Sequence, residues 1–105
     1  MLYLVFNLLS ECGMSNISVF SGDILFLDYI VLSTGTSVKH IKSSAFKMSK
    51  YFKSRFNPIS LSGLDSDWVI VDVNSVLIHL MILKSRNIYD LDSLYSEKFK
   101  KINFF

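Results

Sequence analysis

The sequence predicts an α/β protein, a single-domain sandwich in which a mixed β-sheet is flanked by helices. Three observations lead there. Runs of β-branched and aromatic residues at 28–33, 68–73 and 76–83 are short, strongly apolar and bounded by turn residues, as buried strands are. Between the first and second lies a long segment whose apolar residues recur at helical spacing. The chain has 105 residues, 50% of them hydrophobic, and no repeat or Pro/Gly-rich linker, which is enough for one continuous core. A single domain over residues 1–96 is therefore expected, with a loosely attached tail over 97–105.

Taken in order, residues 1–9 are nearly all apolar and are expected to form a first helix packed on the domain, ended by Gly13. Leu9-Ser10-Glu11-Cys12 has a faint likeness to a lipoprotein cleavage box. No Lys or Arg precedes the run, however, and Glu11 stands where a small residue is needed. The run is also shorter than the roughly 20 residues that span a bilayer. Residues 16–20 read as a strand, Ser21-Gly22-Asp23 as a turn, and residues 28–33 as a buried strand stopped near Gly35. Thr36 or Ser37 caps a helix running to about Arg55. At about 100° per residue, Val38, Ile41, Ala45, Met48, Phe52 and Phe56 share one side, and Lys39, Lys42, Lys47, Lys50 and Lys53 the other. Phe46 lands among the lysines without an evident reason.

Pro58 ends the helical stretch, and residues 59–62 fit a short edge strand, where a nearby proline does least harm. After a turn at 62–67, the runs at 68–73 and 76–83 are separated by Asn74-Ser75, which predicts a tight hairpin of two central strands. Residues 85–95 read as one short helix carrying Ile88, Leu91 and Leu94.

The formal net charge of +2 gives no whole-molecule field for wrapping nucleic acid, and the apolar content excludes intrinsic disorder. Cys12 is the only cysteine, which excludes an internal disulfide and a cysteine-built zinc site and fits a reducing, cytoplasmic setting. His40 and His79 lack acidic or thiol neighbours at ligand spacing and read as structural. Neither a metal nor a cofactor is expected.

The Thr34-Gly35-Thr36-Ser37 turn could seat a phosphate at a helix N-terminus, but no Walker lysine follows and capping explains the same residues. That turn is the basis of an alternative, a nucleotide-binding or nucleotidyltransferase-related enzyme. Asp65, Asp67 and Asp72 could be imagined as a carboxylate cluster, yet Asp65 and Asp67 fall on a turn where acids serve solvation and local hydrogen bonding. No Gly-x-Ser-x-Gly elbow or local Ser/His/Asp pattern supports nucleophilic chemistry, so an enzyme is not expected. The lysines of 39–53 could make a minor contact with nucleic acid, although such a row is most often a solvated face. From Trp68 to Tyr95 a Trp, a His, an Arg, tyrosines and acids gather, and these types dominate protein interfaces because each buries large area while keeping a directed hydrogen bond. The plainer reading, Trp68 closing the core and Arg86 pairing with Asp90 or Asp92, is equally open on these grounds.

Three segments together resemble the ribosomal silencing factor (Iojap-like) family. They are Asp28-Tyr29-Ile30-Val31-Leu32-Ser33-Thr34-Gly35-Thr36-Ser37 with Lys39-His40-Ile41, then Gly63-Leu64 leading to Asp67-Trp68-Val69-Ile70-Val71-Asp72, and Val76-Leu77-Ile78-His79-Leu80-Met81 running to Ser85-Arg86, Tyr89-Asp90-Leu91-Asp92 and Leu94. Departures are a short loop between the first two strands, Ser62 and Ser75 in place of usual acids, and Tyr95 in place of a usual Trp. The resemblance implies a nucleotidyltransferase-like topology without the catalytic acids. It also implies docking on the large ribosomal subunit through its protein L-fourteen, which blocks joining of the small subunit and represses translation. It directs attention to Trp68, His79, Arg86, Tyr89, Asp90, Leu94 and Tyr95 as residues that supply or brace the contact. No membrane partner is implied, and a homodimer of the free protein is left open.

Overall fold

A computed structural model of the chain describes residues 2–24, 27–55 and 59–102. The chain forms α1 (Leu2–Glu11), β1 (Ser15–Ile24), β2 (Leu27–Gly35), α2 (Val38–Lys53), β3 (Ile59–Ser62), β4 (Trp68–Val73), β5 (Val76–Ile82), α3 (Leu83–Tyr89), α4 (Leu91–Lys98) and β6 (Lys100–Ile102). The six strands make one mixed sheet in the order β3-β4-β5-β2-β1-β6. Among the described residues only β2 and β5 pair in parallel, and α2, β3 and β4 connect them. A parallel pair needs such a crossover, and this one leaves β3 at the edge, where its short, half-polar sequence belongs.

Period-two alternation divides β1, β2, β4 and β5 between two cores. Val69, Val71 and Val73 of β4 and Val76, Ile78 and Leu80 of β5 join Val19 and Val31 beneath α1 and α2. From the helices come Val5, Leu9, Ile41, Ala45, Met48 and Phe52, all sealed from solvent. Burying each of these side chains other than Ala45 contributes about 1.5–3 kcal/mol relative to exposure. On the opposite face Phe20, Ile30, Leu32, Met81 and Leu91 form a smaller core, with Trp68, Leu77, Tyr95 and Phe99 partly buried against it.

The ends of the elements follow local chemistry. Gly13 (φ 80) closes α1, its N–H donating to the Ser10 carbonyl and that of Met14 to Leu9, so that the orphan carbonyls of the last turn are satisfied. Ser37 caps α2 by accepting from the His40 N–H. Gly35 cannot be larger, since a Cβ there would lie 2.4 Å from the Ile41 methyl. At the β4–β5 turn the left-handed conformation falls on Asn74 (φ 57) and not on Ser75, so the absence of a glycine at the second position costs nothing. Ser75 then anchors the hairpin to β2, its carbonyl accepting from Asp28 N–H at 2.7 Å and its hydroxyl donating to the Asp28 carboxylate.

Several expectations are corrected. Residues 21–23 continue β1 instead of turning. Leu83 opens α3 instead of ending β5. The helix expected over 85–95 is two helices broken at Asp90, which adopts φ 48 and ψ 49. Of its expected apolar side only Leu91 is buried. Val38 is exposed at the first turn of α2. Beyond Ser96, where a loose tail is expected, the chain completes α4 and adds β6 against β1. Phe56 and Pro58 lie outside the described residues.

Candidate functional site

The site is built where β4 and β5 meet α3 and α4. Gly63 (φ 77) folds the preceding turn so closely that a Cβ there would sit 2.3 Å from the Trp68 carbonyl oxygen. The Trp68 N–H donates to the Ser66 hydroxyl at 3.2 Å, which fixes the start of β4. Trp68 therefore projects onto the α3/α4 face, and its indole Nε1–H donates to Nδ1 of His79 at 2.9 Å.

That bond settles the state of His79. An indole N–H only donates, so Nδ1 must accept and the ring proton sits on Nε2, facing the Tyr95 hydroxyl at 3.5 Å. His79 is 2% exposed, and burial pulls its pKa from 6.5 to about 4, so the ring is neutral near pH 7. Burial likewise raises the pKa of Tyr95. The rings form a continuous tier: Trp68 lies 4.9 Å from Tyr89, His79 6.0 Å from Tyr95, and Tyr95 5.8 Å from Phe20 and 5.6 Å from Phe99 between ring centres. Tilted pairs at these distances add about 0.5–1.5 kcal/mol each beyond burial.

Arg86 is the second fixture, and it is not a surface residue. It is 7% exposed, and its Nε and Nη2 grip both oxygens of Asp92 at 2.9 Å. Nη2 also donates to Ser18 Oγ at 3.0 Å, and Nη1 donates to Thr34 Oγ1 at 3.0 Å and to the Asn16 carbonyl. All five guanidinium N–H groups are thus used. Asn16 presents that carbonyl because it is left-handed (φ 49), at a bulge where β1 slips register against β2. The Arg86 hydrogen bonds hold the Asp92 carboxyl below its ordinary pKa of 3.8. The partner is Asp92 and not Asp90.

Above these fixtures lies an apolar surface. Ile88 is 65% exposed, Tyr89 56% and Leu94 43%, beside the half-buried Trp68. Asp90 is exposed at the helix junction. The seven residues singled out in the sequence thus gather on one side of the sheet in two roles. Trp68, Tyr89, Asp90 and Leu94 reach the surface, whereas His79, Arg86 and Tyr95 hold it from beneath. Asn16, Ser18, Thr34 and Phe20 were missed as supports, because a bulge and its turned carbonyl leave no periodic signal.

The other candidate sites are occupied by local structure. In the Thr34-Gly35-Thr36-Ser37 turn, Thr34 holds Arg86, the Thr36 N–H donates to Nδ1 of His40 at 2.9 Å, and Ser37 is the cap. His40 in turn uses Nε2–H to hold the Cys12 carbonyl at 2.6 Å, tying α1 to the start of α2. Asp65 is paired with Lys42. Among the described residues no three His, Cys, Asp or Glu side chains converge, and no helix is long and apolar enough to cross a membrane.

The family model described as "Ribosomal silencing factor during starvation" matches residues 4–104. The chain belongs to this family. It is 37% identical over 76 residues to the mouse protein "Mitochondrial assembly of ribosomal large subunit protein 1", a match covering 68% of this chain and 33% of the mouse protein. It is also 30% identical over 70 residues to "Ribosomal silencing factor RsfS" of Zymomonas mobilis, covering 65% of this chain and 53% of that one. The silencing factor of Haemophilus influenzae is 27% identical over 71 residues, with 66% and 70% covered. The matched stretch is thus a third of the mouse protein and about half of the Zymomonas one. In shape the chain is similar to a crystal structure of a Chromobacterium violaceum protein (TM-score 0.81, 24% identity, covering 90% and 82%). One from Bacillus halodurans is equally similar (TM-score 0.81, 21% identity, 98% and 96%). These two establish that the α/β sandwich is shared.

Proposed function

We propose that this silencing-factor relative docks on the large ribosomal subunit, against ribosomal protein L-fourteen, and keeps the small subunit from joining. The observation that carries the reading is the exposure of the large apolar side chains Ile88, Tyr89 and Leu94 on α3 and α4, with Tyr89 against the Trp68 ring and Arg86 clasping the two helices together. Large apolar side chains held rigid before binding lose little conformational freedom on docking, which favours specific association. Asp90 at the rim supplies negative charge for a basic ribosomal protein. A contact of about 800 Å² per partner is ordinary for a specific complex and lies within reach of a domain measuring 31 × 31 × 25 Å.

The action is steric. Two bodies that need the same patch of subunit surface cannot both occupy it, so no substrate is transformed and the protein works in the cytoplasm where subunits meet. The rival reading, a nucleotide-binding enzyme seated at the Thr34-Gly35-Thr36-Ser37 turn, would need the Thr36 N–H, which already donates to His40, and the Thr34 hydroxyl, whose oxygen already accepts from Arg86.

Co-sedimentation with purified large subunits tests the placement. Tyr89→Ala should weaken binding tenfold or more while leaving the circular dichroism spectrum unchanged. Unaltered binding by that variant and by Leu94→Ala would remove the docking face from this side.

A further inference from the structure

α2 carries a second surface, on the other side of the sheet from the docking face. Between Val38 and Lys53 it has no acidic residue, and Lys39, Lys42, Phe46, Lys50 and Lys53 follow one another at steps of three and four residues. Such steps stack side chains into one ridge along the helix, about 21 Å from end to end. Among the described residues only Lys42 of these lysines is in an ion pair, with Asp65.

Phe46 stands at the centre of this ridge, 48% exposed. Core packing does not account for it, because Ile41, Ala45, Met48 and Phe52 fill the core face of α2. A solvated lysine row does not need a phenyl ring, whose exposed area is unfavourable in water. Cations that track a chain of phosphates, interrupted by a ring on which a base can stack, are the two elements that recognise unpaired nucleic acid. An anionic membrane would use the same charges, but insertion needs an apolar side, and this ridge offers one ring.

We propose that the α2 ridge binds single-stranded or loop RNA, with Phe46 as a stacking platform and Lys39, Lys50 and Lys53 as phosphate contacts. The proposed docking on the subunit decides only which RNA the ridge meets, an rRNA segment within reach of the side of the domain away from the docking face. Binding to free RNA does not depend on it.

The test is fluorescence anisotropy of the full chain with a labelled 12-nucleotide oligo(A), titrated at several salt concentrations. The wild type should bind with salt-dependent affinity, and Lys50→Gln with Lys53→Gln should lower the slope of log affinity against log salt by about 1.4. Phe46→Ala should weaken binding about 5- to 150-fold with the slope unchanged. These side chains are exposed, so the fold should persist, as circular dichroism would verify. No RNA binding by the wild type, binding indifferent to Phe46→Ala, or binding only to phosphatidylserine vesicles overturns the proposal. In each of those cases the effect of Tyr89→Ala on subunit binding stands as a separate result.

Discussion

The two faces of the sheet are finished differently. The face under α1 and α2 is closed mainly by apolar side chains, Phe52 among them, and the polar residues that α2 buries there are the small Ser44 and Ser49. The face under α3 and α4 has a smaller core, a buried arginine with every donor occupied, a buried neutral histidine, and large apolar side chains left outside. The first arrangement maximises stability. The second spends hydrogen bonds on position, since the guanidinium and imidazole set the angles at which α3, α4 and Trp68 present their surface. The contrast separates the part of the molecule that closes the larger core from the part proposed to meet a partner.

Truncation should show that separation most strongly. Phe52→Ala opens a cavity in the closed face and should cost about 3–5 kcal/mol in denaturant unfolding. Arg86→Ala should cost about 3 kcal/mol, because it leaves the Asn16 carbonyl, Thr34, Ser18 and Asp92 without their donor. It should also weaken subunit binding, which Phe52→Ala should not do while the protein remains folded.

Acid should loosen the polar face through His79. Between about pH 4 and 6.5 the unfolded chain binds a proton at this ring and the native chain does not, so stability is full above 6.5 and falls as pH drops toward 4. The loss should total about 3 kcal/mol, and His79→Gln should flatten it in urea midpoints measured across that window. Asp92 contributes with the same sign at lower pH. Its stabilisation is present above its ordinary pKa of 3.8 and is lost as pH falls through the lowered value. The smallest effect on folding belongs to Tyr89→Ala, under about 1 kcal/mol, although its effect on binding should be among the largest.

Much of this contrast could be read from residues alone. The closed face announced itself through period-two runs in Trp68–Val73 and Val76–Ile82 and helical spacing in Val38–Lys53, because apolar burial leaves a repeating trace. The positioned face did not. The break at Asp90 depends on one left-handed residue in a sequence that otherwise reads as continuous helix. Arg86 looked like an exposed contact because its partners, Asn16, Ser18 and Thr34, lie 52–70 residues away in the chain. The short strand Lys100–Ile102 was hidden for a related reason, since it exists only by pairing with Val19, Phe20 and Ser21. Phe46 looks anomalous against a helical wheel, and its proposed use rests on its exposure at the centre of a cationic ridge.

Steric exclusion by the α3/α4 face is the proposed mode of action. Light scattering during joining of purified ribosomal subunits, with increasing amounts of this protein preincubated on the large subunit, measures it directly. Joining should fall to near zero at saturation with the wild type and remain largely intact with Tyr89→Ala at the same concentration. Undiminished joining while sedimentation shows the wild type bound to the large subunit would contradict it.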